Sequence, residues 1–419
     1  GDLRVRNEYM NNALSLSGDA TGHDQDYYRI RARFWSSWMA AESLAFNARL
    51  AAEPRVWMES PSFSKQHPGR GTEWRFGLVD NLNAQWHGSF GDNWTVTGTA
   101  GRQDVQFGET GRRWLVADGT PADGSWTSFF DAARVCFDNR SAGLKFDLVA
   151  LQTRAMPASN LPILGNRKTY SLTEQNEKGL ILHATIDISE SAQVNGYYIY
   201  KHDDRSLASG DNADIHTFGA RIAVSPSEHW RCDAEAALQF GSKEDATLKW
   251  SDPGPGRRDI RAWGGNARLS YLFKDAMNNR LSLELEYLSG DDPDTREDEM
   301  FDILWGRYPR WSDAYAFACT LETGGRIAQM NNLLRIGPVW SLSPLKKLTL
   351  NASYAMLVAP ESTPTRATKA ELFSFSGHTR GQLWFISARY QFTRALSGLL
   401  VAEAIRQGDF YAHGNTESF

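Results

Sequence analysis

The sequence predicts an all-β chain: one antiparallel transmembrane β-barrel of 18 strands, with short periplasmic turns and long extracellular loops. Three observations predict it. Segments such as YRIRARF (residues 28–34) alternate strictly between basic and apolar side chains, and in an extended strand successive side chains point to opposite faces. Such segments recur along the whole chain, joined by connections that are alternately short and long. No run of 18 or more apolar residues occurs and mean hydropathy is -0.48. That excludes a transmembrane helix but not a barrel, in which only every second residue faces lipid.

Taken in order, the period-2 stretches fall near residues 2–10, 27–38, 43–54, 76–89, 93–106, 129–138 and 143–154. Others follow near 176–188, 191–201, 212–225, 229–240, 259–273, 280–289, 328–341, 346–358, 382–392 and 394–407, and a last one begins near Ser418. Long helical periodicity is missing. The connections after even-numbered stretches are short (AES, GDN, DNRSA, ESA, SPSEH, FKDAMNN, SPLKK, TRA). Those after odd-numbered stretches are long and polar: 11–25, 55–73, 107–127, 155–175, 241–257, 290–326 and 359–380. A soluble sandwich has no reason for that rhythm, whereas a transmembrane barrel has short turns on one rim and long loops on the other. Eighteen strands in 419 residues leave about 23 residues per strand and connection, an ordinary allotment for such barrels.

Each stretch then sorts by face. Ile30, Ala32 and Phe34, Leu44, Phe46, Ala48 and Leu50, Val194, Tyr198 and Tyr200, Leu281, Leu283, Leu285 and Tyr287, and Leu348, Leu350, Ala352 and Tyr354 face outward. Inward lie Arg4, Arg6, Arg29, Arg31, Arg33, Arg49, Arg134, Lys145, Arg231, Arg268 and Arg335, a basic lumen path, with Thr95, Thr97 and Thr99. Acids join them at Glu8, Asp147, Asp233, Glu235, Glu284, Glu286 and Glu403. An arginine facing lipid at mid-depth costs about 2–4 kcal/mol, so the inward placement is forced once the membrane is accepted. On the first two strands five arginines face only Glu8, which predicts an open ladder of guanidinium groups; the alternative is that Glu8 with lumen acids on other strands, or a folded-in loop, neutralises them.

Composition narrows the function. A net charge of -5 gives no basic field for nucleic acid. Trp35, Trp38, Trp94, Trp230, Tyr287, Tyr354 and Tyr390 stand near strand ends, as aromatic belts at a membrane surface do. Cys136, Cys232 and Cys319 have no metal-ligand spacing and read as packing residues, Cys319 in a loop. No nucleophile, zinc or nucleotide motif stands in a suitable context, and His183, His216 and His229 read as strand or turn residues, so no enzyme and no cofactor is expected. In the acidic run SGDDPDTREDEMFD (289–302), Asp291, Asp292 and Asp294 form a weak calcium candidate, because calcium takes several oxygen ligands. The aromatics Trp305, Tyr308 and Trp311 predict that loop 290–326 lies outside the membrane plane, packed against the barrel mouth or inside it.

Several landmarks resemble those of the alginate-export family of outer-membrane porins. They are AGRQDVQFGE (100–109), SFFDAARVCFD (128–138), YLSGDD (287–292), FDILWGRYPRWSD (301–313) and VAEAIRQGDFY (401–411), spread from about residue 76 onward. The resemblance implies an 18-stranded barrel whose arginine-rich lumen passes an anionic polysaccharide or other anionic solutes. Family members end in an aromatic-terminated strand after the GDFY segment, whereas this chain stops at Phe419, where that strand begins. The expectation is that about 10 further residues complete strand 18. The lumen here also mixes carboxylates with its arginines.

The reading is therefore a single barrel domain over 1–419, an outer-membrane channel for anionic solutes and acidic oligo- or polysaccharides such as alginate. The alternative is a structural or adaptor barrel, its lumen plugged, anchoring a larger envelope assembly. Expected partners are the lipid bilayer, anionic solutes or polysaccharide, and periplasmic or envelope proteins, with no nucleic acid.

Overall fold

The computed structural model describes residues 1–12, 16, 23–60, 70–74, 77–91, 93–105, 107, 129–156, 173–208, 210–244, 256–306, 311–322, 330–364 and 370–412. Among these, 19 antiparallel strands form one sheet. In chain order they are β1 (Asp2–Met10), β2 (Gln25–Ala41), β3 (Leu44–Ala52), β4 (Arg55–Glu59), β5 (Gly71–Glu73), β6 (Gly77–Phe90), β7 (Trp94–Gln103), β8 (Phe130–Asn139) and β9 (Leu144–Thr153). Then follow β10 (Gln175–Ser189), β11 (Ala192–Arg205), β12 (Asn212–Val224), β13 (Trp230–Glu244), β14 (Arg257–Leu272) and β15 (Arg280–Leu288). One helix, α1 (Asp313–Glu322), precedes β16 (Leu333–Leu345), β17 (Leu348–Val358), β18 (Thr379–Gln391) and β19 (Ser397–Gln407).

The wall is a meander in which each strand pairs with its neighbours in sequence. The exceptions are β4 and β5, which prolong β3 and β6: β2 pairs with β3 along its lower length and with β4 above. Pro54 marks the break, since proline has no N–H to give the ladder; its carbonyl still accepts Ile30 N at 3.0 Å. Without β4 and β5, seventeen of the 19 strands make up the wall, at the positions the alternation predicts. The eighteenth, from Ser418, falls outside the described residues.

The sheet curls until its ends meet across one residue. Asp313 pairs with Arg6 of β1 through its carboxylate, while its backbone N–H donates to Glu403 of β19 at 3.2 Å. The outer face is hydrocarbon throughout: Phe34, Trp38, Leu238, Ile386 and Leu400 are all more than half exposed. Soluble proteins do not carry apolar surface on that scale, and lipid is the solvent that suits it. Aromatic pairs mark both edges of this band, with Trp263 stacked on Tyr287 at 4.0 Å toward the long loops. Trp230 on Tyr271 and Tyr390 on Phe392 do the same toward the short turns.

The buried core lies on the inner side of the sheet. Val149, Ile181, Ile199, Ile215, Ile260, Leu357, Leu383 and Ile405, inward residues of strands from β9 to β19, pack with Phe301, Ile303, Leu304, Tyr315 and Cys319 of the connection between β15 and β16. The expectation that Cys319 sits in a loop is corrected: it is buried within α1. Only ten residues long, α1 was hidden by the absence of a polar face, since most of DAYAFACTLE is apolar or small.

Candidate functional site

The arginine ladder forms as the alternation demands. In the β1–β2 register Arg4 stands opposite Arg31, Arg6 opposite Arg29, and Asp2 opposite Arg33. The intervening Leu3, Val5 and Phe34 are exposed on the outer face, so all five guanidinium groups point inward. The ladder is largely paired, by Glu8 and Asp2 of β1 and by Glu53 and Asp313 from elsewhere in the chain. Arg4 bonds Glu53 at 3.2 Å, and Arg29 lies 3.2 Å from Glu8 and 3.5 Å from Glu53. Arg6 pairs with Glu8 at 2.9 Å and with Asp313, and the Arg33 Nε donates to Asp2 at 3.0 Å. This corrects the fully open ladder. Arg31 is the exception: among the described residues it has no hydrogen-bond or ion-pair partner, and its Nε is buried.

The other predicted positions also face inward, with different surroundings. Arg49 joins Asp80 at 2.7 Å and Asp104 at 2.8 Å, Arg134 joins Asp147 at 2.7 Å, and Arg268 pairs with Glu284. Arg335 reaches Glu284 at 3.0 Å and Glu286 at 3.3 Å, with its guanidinium 4.9 Å over the Trp311 ring. Lys145 and Arg231 have no ion pair among the described residues; Arg231 is exposed at the short-turn rim. Lys145 and Arg134 border a recess of about 780 Å³ in the wall formed by β3 and β6–β9, whose other sides carry amides and hydroxyls such as Asn47, Asn81, Gln85 and Thr97 and the carboxylates of Asp104 and Asp138. Such a surface offers paired donors and acceptors to a polar solute.

The described residues between β15 and β16 (289–306, 311–322 and 330–332) form a strap that packs on the inner wall. Asp302 makes a two-way bond with the Gln239 amide, at 2.7 and 2.8 Å. Arg258 grips Asp291 at 3.0 and 3.1 Å and the Glu297 carbonyl at 2.9 Å. The Trp305 ring lies over Gly179 of β10, where a Cβ would come within 2.2 Å of it. At the far end Glu322 pairs with Arg380 and accepts Tyr411 Oη at 2.8 Å. The start of α1 is capped twice: Ser312 Oγ accepts Tyr315 N at 3.0 Å, and Glu403 accepts Ser312 Oγ, Asp313 N and Ala314 N at 2.5–3.2 Å. Trp305 and Trp311 therefore pack inside the barrel, while Tyr308 lies outside the described residues.

The calcium candidate is not assembled. Asp291 is committed to Arg258, and burial pushes its carboxyl up against the pull of that guanidinium. Asp292 Oδ1 accepts Asp294 N at 2.9 Å, closing a local turn. Among the described residues no group of three metal-ligating side chains converges.

Sequence reasoning missed Asp2, Glu53 and Asp313 as partners of the ladder, Asp80 and Asp104 as partners of Arg49, and Arg55 as a further inward cation, 5.1 Å over the Tyr27 ring. Glu53, Arg55 and Trp57 continue the parity of β3, so alternation carried past Pro54 would have found them.

The family described as alginate export matches residues 1–418. The fold is similar to that of Pseudomonas aeruginosa OprD, with 10% identity, a TM-score of 0.52, and 99% of this chain and 91% of that one covered. It is likewise similar to OccK5 (OpdH) of the same organism, at 11% identity and TM-score 0.51, covering 98% and 93%. OccK8 (OprE), also from P. aeruginosa, has 11% identity and TM-score 0.51, covering 97% and 94%. No curated protein matches the chain. At such low identity these structures support the architecture alone, and the family match carries the rest. With an apolar outer face, a charged inner face and a family match over nearly its whole length, the chain belongs to the alginate export family and is a channel-type β-barrel of the Gram-negative outer membrane.

Proposed function

We propose that the channel prefers anions, and that acidic oligo- and polysaccharides such as alginate are the class of solute it passes. The path runs along the inner wall of β1–β3 and β6–β9, since the strap's apolar residues pack mainly on the side of β10–β19 and only its Asp313 reaches β1 among the described residues. The observation that carries the reading is Arg31: an inward guanidinium without a partner among the described residues, flanked by Arg33 and facing Arg4. A wall cation not neutralised by a fixed acid favours mobile anions in the bore. Lys145 continues the charge toward the short-turn rim, beside an amide- and hydroxyl-rich recess suited to sugar hydroxyls.

A second reading, an envelope anchor with a plugged lumen, is favoured by the strap, whose apolar side chains make a buried core inside the barrel. Reversal potentials of the purified protein in planar bilayers under a salt gradient separate the two. Anion-selective steps, weakened by Arg31→Ser, support the channel. An absence of conductance from folded, inserted protein supports the anchor, and a cation-selective pore sinks the anionic reading.

A further inference from the structure

We propose that Asp313 is a tethered counter-ion: a carboxylate of the strap that sits on Arg6 in the resting channel and yields to a multivalent anionic solute. The inference rests on the anion path described above. Three observations carry it.

First, this ion pair is wet while the strap's anchors at Arg258 and Arg380 are dry; Arg261–Glu297, the strap's pair nearer the long loops, is wet as well. Arg6 and Asp313 are 23% and 26% exposed, against 3% and 6% for Arg258–Asp291 and 1% and 4% for Arg380–Glu322. Buried pairs lose an uncompensated charge to the interior when one partner leaves. A water-exposed pair contributes little, so a solute carboxylate competes on nearly equal terms.

Second, neither partner is stranded by the exchange. The N–H groups at the start of α1 are already satisfied by Ser312 and Glu403, so the helix does not depend on the Asp313 carboxylate. Arg6 keeps Glu8 at 2.9 Å.

Third, the place is on the route. From the short-turn rim, an anion meets Arg33, Arg31 and Arg4 before it reaches Arg6 and Arg29, in the order of the β1–β2 register. A solute with carboxylates repeated along its length holds Arg31 and Arg6 at once. A single small anion has no such second hold and displaces Asp313 poorly. Asp313 is thus a specificity determinant, favouring polymers of fixed negative charge over isolated anions.

The test is Asp313→Asn, an isosteric change that keeps a polar side chain in the first turn of α1, beside Asp313→Glu, which keeps the charge. Folding is checked by the heat-dependent shift in gel mobility. In planar bilayers at low salt the Asn variant should conduct at least about two-fold more, with its reversal potential moved further toward anions. The difference should shrink in 1 M salt, where the screening length falls to about 3 Å. Trigalacturonate should block the Asn variant at roughly ten-fold lower concentration, and the Glu variant should behave as wild type. Identical conductance, reversal potential and block in wild type and Asp313→Asn would overturn the proposal. If wild type prefers cations while the Asn variant still shifts all three readouts, the counter-ion stands and the anion path falls.

Discussion

Arg4 of β1 and Arg31 of β2 stand directly opposite one another on the inner wall, and among the described residues only Arg4 of the two makes an ion pair, with Glu53. Like charges placed side by side on a sheet repel. Arg29, one step further along, is 4% exposed and held between Glu8 and Glu53. The two neighbours on one strand should therefore respond to removal in opposite ways.

Arg31→Ser should leave unfolding by urea unchanged or shift it slightly toward stability, while lowering anion preference. Arg29→Ala leaves two buried carboxylates short of a partner and should destabilise by about 3–5 kcal/mol. Equal losses of stability in the two variants would show that Arg31 is structural.

Gly179→Val tests the docking of the strap. The added side chain meets the Trp305 ring and cannot be accommodated without moving it. Tryptophan emission should shift to the red and conductance should rise as the strap leaves that wall. Unchanged emission with a folded barrel would argue that Trp305 is not seated there.

Face assignment is open to a direct test at adjacent residues of β15. Leu283 is half exposed on the outer face, whereas Glu284 faces inward to Arg335. Leu283→Arg should cost about 2–4 kcal/mol in lipid bilayers. A neutral result would mean that this surface does not face hydrocarbon.

The turn between β14 and β15 gives a pH prediction. Asp275 accepts Asn279 N at 2.9 Å, the Asn279 side chain, and Met277 N at 3.1 Å. These bonds hold its carboxyl below the ordinary value of 3.8, because they favour the charged form. A lowered folded pKa contributes stability above the ordinary value, which is lost as pH falls through the lowered one. Wild type should therefore exceed Asp275→Ala in stability at neutral pH, with the gap closing below pH 3.8. A gap independent of pH would assign the effect to turn geometry instead.

Much of this was legible in the sequence because a barrel wall is written in alternation. Strand β1 was placed at its observed bounds, and the inward parity of Arg29, Arg31 and Arg33 follows from Ile30, Ala32 and Phe34 alone. Charge balance was not legible. Glu53 reaches Arg4 from the link between β3 and β4, neither of which pairs with β1, and Asp313 lies 307 residues from Arg6. Pairings of that kind follow from how the sheet closes and where a loop folds, and no local period encodes either.

The residue that joins Arg6 to Glu403 also constrains the order of assembly. Asp313 touches the first and last described strands of the meander, so its two contacts cannot both form until those strands have come together. Neighbouring strands zip with short sequence separations, whereas this contact spans most of the chain and must wait. This bridge is therefore the last of the strap's contacts to settle. During insertion the bore is emptier than in the finished protein, and a barrel halted before that step would leak.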